Sequence, residues 1–292
     1  MDIKKCEVFL QVVESQSLTR AAELLGCTQS AVSHSLAGLE EELGFPVLSR
    51  SRSGVRLTPE GERILPAVRA LLNAAEALGQ QASSLRGLQA GTVRIGTFTS
   101  VAVHWLPGII KQYHEAYPGV EFRIMSGDYA DVETWLEDGS VDLGFVSLPC
   151  AAPCRTIPLA EDRILAVIPR QHRFADLPRF PLSLAGDEPF ISLLEASDRD
   201  LRRPLNEAGI APNIALQTKD DYAIIAMVEQ GLGISIMPEL LLQGRGEKVK
   251  VMELAPPASR TLALALPQGR EPGPAAALFA RMTIDWVKEA VR

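Results

Sequence analysis

The apolar positions change rhythm twice along the chain, and each rhythm predicts a different architecture. Over residues 17–42 they recur at helical spacing in two short blocks separated by Gly26-Cys27. Ala21, Ala22, Leu24 and Leu25 give the first block a small apolar face that lets a neighbouring helix approach closely. In the second, Val32, Leu36 and Leu39 recur at i, i+4, i+7 and must turn inward. Thr28 is a natural N-cap for that second helix, and Gly26 supplies the permissive backbone of the turn. A longer helix begins at Thr58-Pro59, an N-cap followed by proline at the first helical position. Beyond it Ile64, Val68, Leu71, Ala75, Leu78, Ala82 and Leu85 form a seven-residue repeat, which predicts a dimerisation seam. The competing reading is an amphipathic helix packed on its own domain, whose stripe would drift off a strict 3.5-residue period. Pro66 should bend the early turns. Ser83-Ser84 and the stretch 87–91 read as the helix end and a hinge.

From Thr92 the pattern becomes alternating strands and helices. Val93–Gly96, Phe122–Met125 and Asp142–Val146 read as strands, with helices opened by Pro107 and closed by Gly139 between them. A second set follows: Ile164–Ile168, Phe190–Leu193, a helix from about Asp198 to Ala208, Ile214–Gln217, a helix from Tyr222 to Gln230, and Ile234–Ile236. Strands near 249–253 and 261–266 and a helix from about Ala275 to Val291 complete the chain. Such alternation predicts mostly parallel sheets covered by helices.

The chemistry of the first segment follows from its geometry. With Val32, Leu36 and Leu39 inward, Gln29, Ser30, Ser33 and His34 remain on the outer face near the helix start, beside the capping Thr28. Short hydrogen-bonding side chains there are what a helix-turn-helix needs to read base edges in the major groove. Next come Arg50, Arg52 and Arg56, with no acidic residue from Leu43 to Leu57. Ser51-Arg52-Ser53-Gly54 reads as the tip of a hairpin wing that lays arginines on phosphates. The other reading is a small helical hairpin with a solvated polar face.

At these residues the chain resembles the LysR-type transcriptional regulators. The resemblance runs from Ile3 to about Arg69 through Phe9, Ser17, Ala21-Ala22, Leu24, Thr28–Ser33, Leu39-Glu40, Leu43-Gly44, Arg50, Val55, Leu57-Thr58 and Gly61. Two positions depart from it: the family commonly has a basic residue where His34 stands, and usually another arginine near Ser53. The resemblance implies an N-terminal winged helix-turn-helix (residues 1–58, mostly α), a linker and dimerisation helix (59–88) and a hinge (89–91). It then implies an α/β two-lobed effector-binding domain (92–292), similar to periplasmic binding proteins, with two Rossmann-like lobes. Lobe I would take about 92–160 and 265–292, and lobe II about 161–264, with crossings near Leu159–Asp162 and Leu262–Leu266. The implied partners are double-stranded promoter DNA, a small-molecule effector, further copies of the chain up to a tetramer, and RNA polymerase.

Ligands of open α/β sheets bind beyond the carboxyl ends of strands. That rule selects Thr97, Thr99 and Ser100 after the first strand of the domain, Ser126 and Gly127 after the second, and Ser147 after the third. In the other half it selects Ser192, Thr218 and Lys219. The resemblance supports Thr99, Ser100, Ser126 and Ser147 most directly. His104 and Trp105 lie close by in sequence, Trp105 reading as core.

Composition narrows the classes that remain. The 292 residues carry a formal net charge of −7. Residues 1–89 hold nine Lys or Arg against ten Asp or Glu, less basic than a DNA-binding domain usually is. Asp2, Lys4 and Lys5 open an amphipathic helix rather than a signal peptide, and no apolar run approaches a membrane span, so a cytoplasmic protein is expected. Four cysteines without an extracellular cue suggest reduced thiols, Cys6 and Cys27 reading as core. Cys150 and Cys154, four apart in a loop, have the spacing for a disulfide or a metal, but no suitably placed histidine accompanies them. No Gly-x-Ser-x-Gly elbow, Walker loop or His-Glu-x-x-His occurs, and histidines number four, so no catalytic residue, metal set or cofactor is expected. The alternative to a DNA-binding regulator is a small-molecule-binding α/β protein whose N-terminal module mediates protein contacts.

Overall fold

A computed structural model of the chain describes residues 2–51, 54–85, 91–194, 199–245 and 248–291. It divides into two compact units, Met1–Gly91 with Glu137–Ser140, and Thr92–Leu136 with Val141–Arg292.

In the first unit, helices α1 (Ile3–Ser15), α2 (Leu18–Leu24) and α3 (Gln29–Leu43) precede a hairpin of β1 (Leu48–Ser51) and β2 (Gly54–Leu57). Helix α4 (Pro59–Leu85) follows and runs through Pro66 as a single element. Each start is capped as its residues dictate. Asp2, Ser17 and Thr28 accept backbone N–H groups of Lys4, Arg20 and Ala31 at 3.0, 3.2 and 3.2 Å. The Thr58 hydroxyl accepts from Gly61 N at 2.9 Å and donates to the Pro46 carbonyl at 2.8 Å, tying the start of α4 to the foot of the hairpin.

One core holds this unit together. Cys6, Phe9, Val12, Leu18, Ala21, Ala22, Val32, Leu36, Leu39, Val47 and Val68 are buried in it. Three expectations need correction. Leu24 is 54% and Leu25 36% exposed: the inward face of α2 is Leu18, Ala21 and Ala22 at i, i+3, i+4, Leu24 falls off it, and Leu25 is the C-cap beyond the helix end. Cys27 is exposed, because it lies in the turn after α2, where its N–H donates to Ala22 O and its side chain faces outward.

The second unit contains β3 (Gly91–Thr97, its first residue counted with the first unit), α5 (Thr99–His104), α6 (Leu106–Ala116), β4 (Val120–Ser126), α7 (Tyr129–Glu137) and β5 (Leu143–Leu148). Then follow β6 (Cys154–Pro169), β7 (Phe180–Pro181), β8 (Pro189–Leu193), α8 (Arg199–Glu207), β9 (Asn213–Thr218), α9 (Asp221–Glu229), β10 (Ser235–Pro238), α10 (Glu239–Leu242), β11 (Val249–Pro267) and α11 (Pro274–Ala290). The main sheet has the order β10-β6-β11-β5-β3-β4, with β7 added beside β11. β8 and β9 make a separate parallel pair.

The expected strands are present, but the sheet is not mostly parallel. β6 and β11 are long strands paired antiparallel from Val249↔Pro169 to Pro267↔Cys154. β11 also pairs antiparallel with β5, and β6 with β10. The segments read as separate strands near 249–253 and 261–266 are one strand, interrupted by a register shift between Glu253 and Ala258. Two large cores flank this long pair, and a smaller one packs Ala263 and Ala265 of β11 against Val132 and Leu136 of α7. Ile157, Leu159, Ala160, Leu262, Leu264 and Leu266 pack with the core of β3, α5 and α6, which α11 joins through Ala276, Phe279 and Val287. Ile164–Ile168, Val249, Met252 and Leu254 pack with the core of β8, α8 and α9. The second passage between cores therefore falls near 258–261, ahead of the expected 262–266, because Leu262 is already buried in the first core.

Candidate DNA-reading face and effector cavity

Helix α3 is two-sided. Val32, Leu36 and Leu39 are buried, while Gln29, Ser30 and His34 are exposed and Ser33 is half-buried. Thr28 is exposed, with its hydroxyl engaged in the cap. In the hairpin, Arg56 is exposed and faces Ser49 across the ladder. The backbone of Arg50 pairs with Val55, but its side chain lies outside the described residues, as does Arg52 altogether.

The acidic run at the end of α3 is partly engaged within the unit. Glu40 accepts the backbone N–H groups of Val47 and Leu48 at 2.9 and 3.3 Å, and so fixes the entry to β1. Glu42 pairs with Lys5 at 2.6 Å. Neither role was visible in the sequence, since both partners are remote in the chain or in its backbone.

The α4 stripe divides in two. Val68 is buried in the core of its own unit, and Ile64 and Leu71 pack against it. Ala75 is half-buried, Leu78 is 68% exposed and Ala82 is exposed; the Leu85 side chain lies outside the described residues.

In the second unit a cavity of about 290 Å³ opens between the two cores. Of the selected residues, Thr99, Ser100, Ser126, Gly127 and Lys219 line it. Thr97 is fully buried beneath, Ser147 is fully buried with no partner for its hydroxyl among the described residues, Ser192 donates to Leu193 O at 3.0 Å, and Thr218 accepts from Asp220 N at 3.1 Å. These four are not on the cavity wall. Trp105 is core, and His104 does not reach the wall.

Sequence reasoning missed the centre of the cavity, Arg260. It stands on β11 opposite Asp162 on β6, where the long strands pass between the cores, and both side chains are buried. Its Nε and Nη2 donate to Asp162 Oδ2 at 2.9 and 2.7 Å, Nη2 donates also to Ser100 Oγ at 2.8 Å, and Nη1 donates to Tyr129 Oη at 2.6 Å. The other Asp162 oxygen accepts from Leu240 N at 2.9 Å. Burial opposes the Arg260 cation, but Tyr129 and Asp162 overcome it and raise its pKa. Burial also raises the Tyr129 hydroxyl, keeping it neutral. Asp221, at the first turn of α9, is raised by burial and partly restrained by a hydrogen bond from Thr99. The cleft thus offers hydroxyls, one exposed ammonium, the carboxylates of Asp128 and Asp131, and the buried Arg260–Asp162 pair at its centre.

Residues 3–62 match the family described as bacterial regulatory helix-turn-helix protein, lysR family, and residues 86–288 match the LysR substrate binding domain. Among curated relatives, the uncharacterized HTH-type transcriptional regulator YvbU of Bacillus subtilis is 30% identical over 285 residues, 97% of each chain. A full-length OxyR variant from Pseudomonas aeruginosa superposes with a TM-score of 0.79 at 24% identity, covering 99% of this chain and 95% of that one. Full-length CbnR complexed with its target DNA gives 0.67 at 17% identity, covering 99% of this chain and all of that one. At these identities the two structures establish the fold.

Proposed function

This chain belongs to the LysR family of transcriptional regulators, DNA-binding proteins rather than enzymes, and from that premise we propose how its own residues divide the work. The N-terminal part of α3 reads base edges through Gln29, Ser30, Ser33 and His34, with Thr28 holding the helix start. Arg50, Arg52 and Arg56 of the hairpin hold phosphates. The observation that carries this reading is the polar, exposed N-terminal face of α3 opposite a fully buried Val32–Leu36–Leu39 stripe. Side chains so placed are free to enter a major groove.

In the second unit a small molecule enters the cavity lined by Thr99, Ser100, Ser126, Gly127 and Lys219, with Thr97, Ser147, Ser192 and Thr218 supporting the strand ends from beneath or beside it. Arg260 stands at the strand crossing, bound to Ser100 and Tyr129 on one side of it and to Asp162 on the facing strand. A ligand that competes for Ser100 or Tyr129 therefore alters a contact at the point where one lobe would turn against the other. Such a ligand shifts the lobe equilibrium only as far as it prefers one arrangement. Pairing of two chains through the exposed half of the α4 stripe, and of pairs through the effector domains, carries that change to the DNA. Bending of the DNA, costing of order 1–6 kcal/mol, is then relaxed or shifted, and RNA polymerase gains or loses its site. The setting is the cytoplasm; no helix of the described residues is long and apolar enough to cross a membrane.

The test is a footprint of the full chain on the DNA upstream of its own gene and of the adjacent divergent gene, at two salt concentrations. Two protected patches spaced by whole helical turns, weakened by salt, are expected. In Arg56→Ala the salt slope should fall by about one unit with sequence preference kept, whereas Gln29→Ala should lose about 1–3 kcal/mol of discrimination. Uniform weakening on every sequence by Gln29→Ala would overturn the assignment of α3 as the reading helix.

A further inference from the structure

Cys150 and Cys154 remain unused by the reading above. The loop from Leu148 to Cys154 connects β5 to β6, and it folds so that the two Sγ atoms stand 3.4 Å apart. Both thiols are free and each is only partly buried. Cys6, the buried cysteine, and Cys27, in the α2–α3 turn, both belong to the other unit. We propose that Cys150 and Cys154 form a reversible disulfide-forming pair, a modification site whose state is felt across the cleft through Glu133.

The geometry supplies that connection. Between the two cysteines, Ala151 donates its backbone N–H to Glu133 Oε1 at 3.3 Å. The same oxygen accepts from Arg199 Nη1 at 3.1 Å, and Arg199 Nη2 donates to Ser147 O at 3.2 Å. Arg199 begins α8, which packs in the core beyond the crossing, while Glu133 lies on α7 on the near side. The guanidinium also lies 5.5 Å from the Tyr129 ring centroid, beside the cavity. Drawing the sulfurs from contact to bonding distance, about 2 Å, must move the short loop that carries Ala151 N–H, and with it the carboxylate that clasps Arg199.

The oxidant is a low-molecular-weight disulfide. The Cys150 thiolate attacks one of its sulfurs, the S–S bond breaks and one small thiol leaves, giving a mixed disulfide on Cys150. Cys154 then attacks the Cys150 sulfur and expels the second small thiol. Two electrons pass from the protein dithiol to the small disulfide, and the two thiol protons end on the two released thiols. The order follows from protonation: burial, with the hydrogen bond to Cys150, pushes the Cys154 thiol up to about 12, so it acts second.

The test uses the full chain equilibrated with oxidised and reduced glutathione. Wild type should lose two of its four alkylatable thiols and the mass of two hydrogens, retain no adduct, and recover fully in dithiothreitol. Cys154→Ser should instead keep one glutathione on Cys150, and Cys150→Ser should retain its three thiols. In hydrogen exchange, amides of Arg199–Glu207 should exchange several-fold faster in oxidised than in reduced wild type, with no such change in Cys154→Ser. Matching thermal transitions of the reduced variants establish that they are folded. Four thiols remaining in wild type, or a stable glutathione adduct there, would overturn the pair. An internal disulfide with unchanged exchange in α8 would overturn the connection through Glu133.

Discussion

Removing Arg260 tests what the centre of the cavity contributes. The guanidinium makes four hydrogen bonds to three residues, and Asp162 opposite it is 6% exposed. Arg260→Met keeps most of the side-chain volume but leaves the Asp162 carboxylate buried with, among the described residues, only the Leu240 N–H to satisfy it. Breaking one side of a buried pair in this way costs about 3–5 kcal/mol, about a fifth or more of the stability of an ordinary domain. With a urea slope of about 3 kcal/mol per molar, the midpoint should fall by about 1–1.7 M. The assay is selective, because Trp105, Trp135 and Trp286 are the chain's three tryptophans and all lie in the second unit. Asp162→Leu alone should cost a similar amount by stranding the guanidinium. The double variant Arg260→Met/Asp162→Leu should recover part of the loss, retaining about 1–3 kcal/mol for the polar groups left on Leu240, Ser100 and Tyr129. A single-variant loss below about 1 kcal/mol, or a double-variant loss equal to the sum, would refute the pairing argument.

The remaining predictions concern other parts of the chain. A Cβ at Gly61 would stand 2.1 Å from the Val47 carbonyl oxygen, so Gly61→Ala should cost about 1–3 kcal/mol in the far-ultraviolet transition of the first unit while the tryptophan transition stays in place. Leu78→Glu alters a side chain that is 68% exposed and should change stability by less than about 0.5 kcal/mol while lowering the oligomeric state in sedimentation. Leu71→Glu should instead unfold the first unit, since Leu71 packs on its core; an unchanged oligomer in Leu78→Glu would remove that end of α4 from the seam. Burial pushes the Tyr113 hydroxyl, which donates to Ala275 O at 3.1 Å, up to about 12. A folded value above the unfolded one near 10 gives stability that is whole below pH 10 and lost as pH climbs towards 12. Tyr113→Phe should therefore be less stable at neutral pH yet decline less steeply in alkaline titrations.

How much of this was legible in the chain depended on whether the determining interactions were local. Helix α3 and its neighbours could be read because caps, turn and apolar spacing lie within a few residues of one another: Thr28 caps Ala31, Thr58 caps Gly61, and Val32, Leu36 and Leu39 share a face. The α4 stripe was visible, but periodicity reports only that a face is apolar. The same heptad serves the chain's own core at Val68 and stays open at Leu78, a distinction set by where α1–α3 end against it. In the second unit, strand ends pointed to Thr99, Ser100 and Ser126, whereas Arg260 and Asp162 meet across 98 residues. The available signal was modest: each is a charge at the head of an apolar run, Thr261–Leu266 and Ile164–Ile168. Such a charge reads equally as a solvated strand end, and only the antiparallel register of β6 and β11 brings the two together.

The slight acidic excess of the N-terminal segment is likewise a matter of where its charges are engaged. Counting gives nine cations against ten anions in residues 1–89, which argues against a strong polyanion binder if every charge faces solvent alike. Glu40 is bound to the backbone of Val47 and Leu48, Glu42 is paired with Lys5, and Glu23 with Arg20. The first of these anchors the hairpin that carries Arg50, Arg52 and Arg56, so an acidic residue positions the basic ones. A carboxylate committed in this way repels DNA less than its formal charge suggests. Glu40→Gln should consequently weaken DNA binding despite making the unit less acidic, because a neutral amide oxygen accepts those two N–H groups less strongly and the hairpin loses its fixed entry. Tighter binding by Glu40→Gln in a gel shift would show instead that net charge, rather than placement of the hairpin, governs affinity.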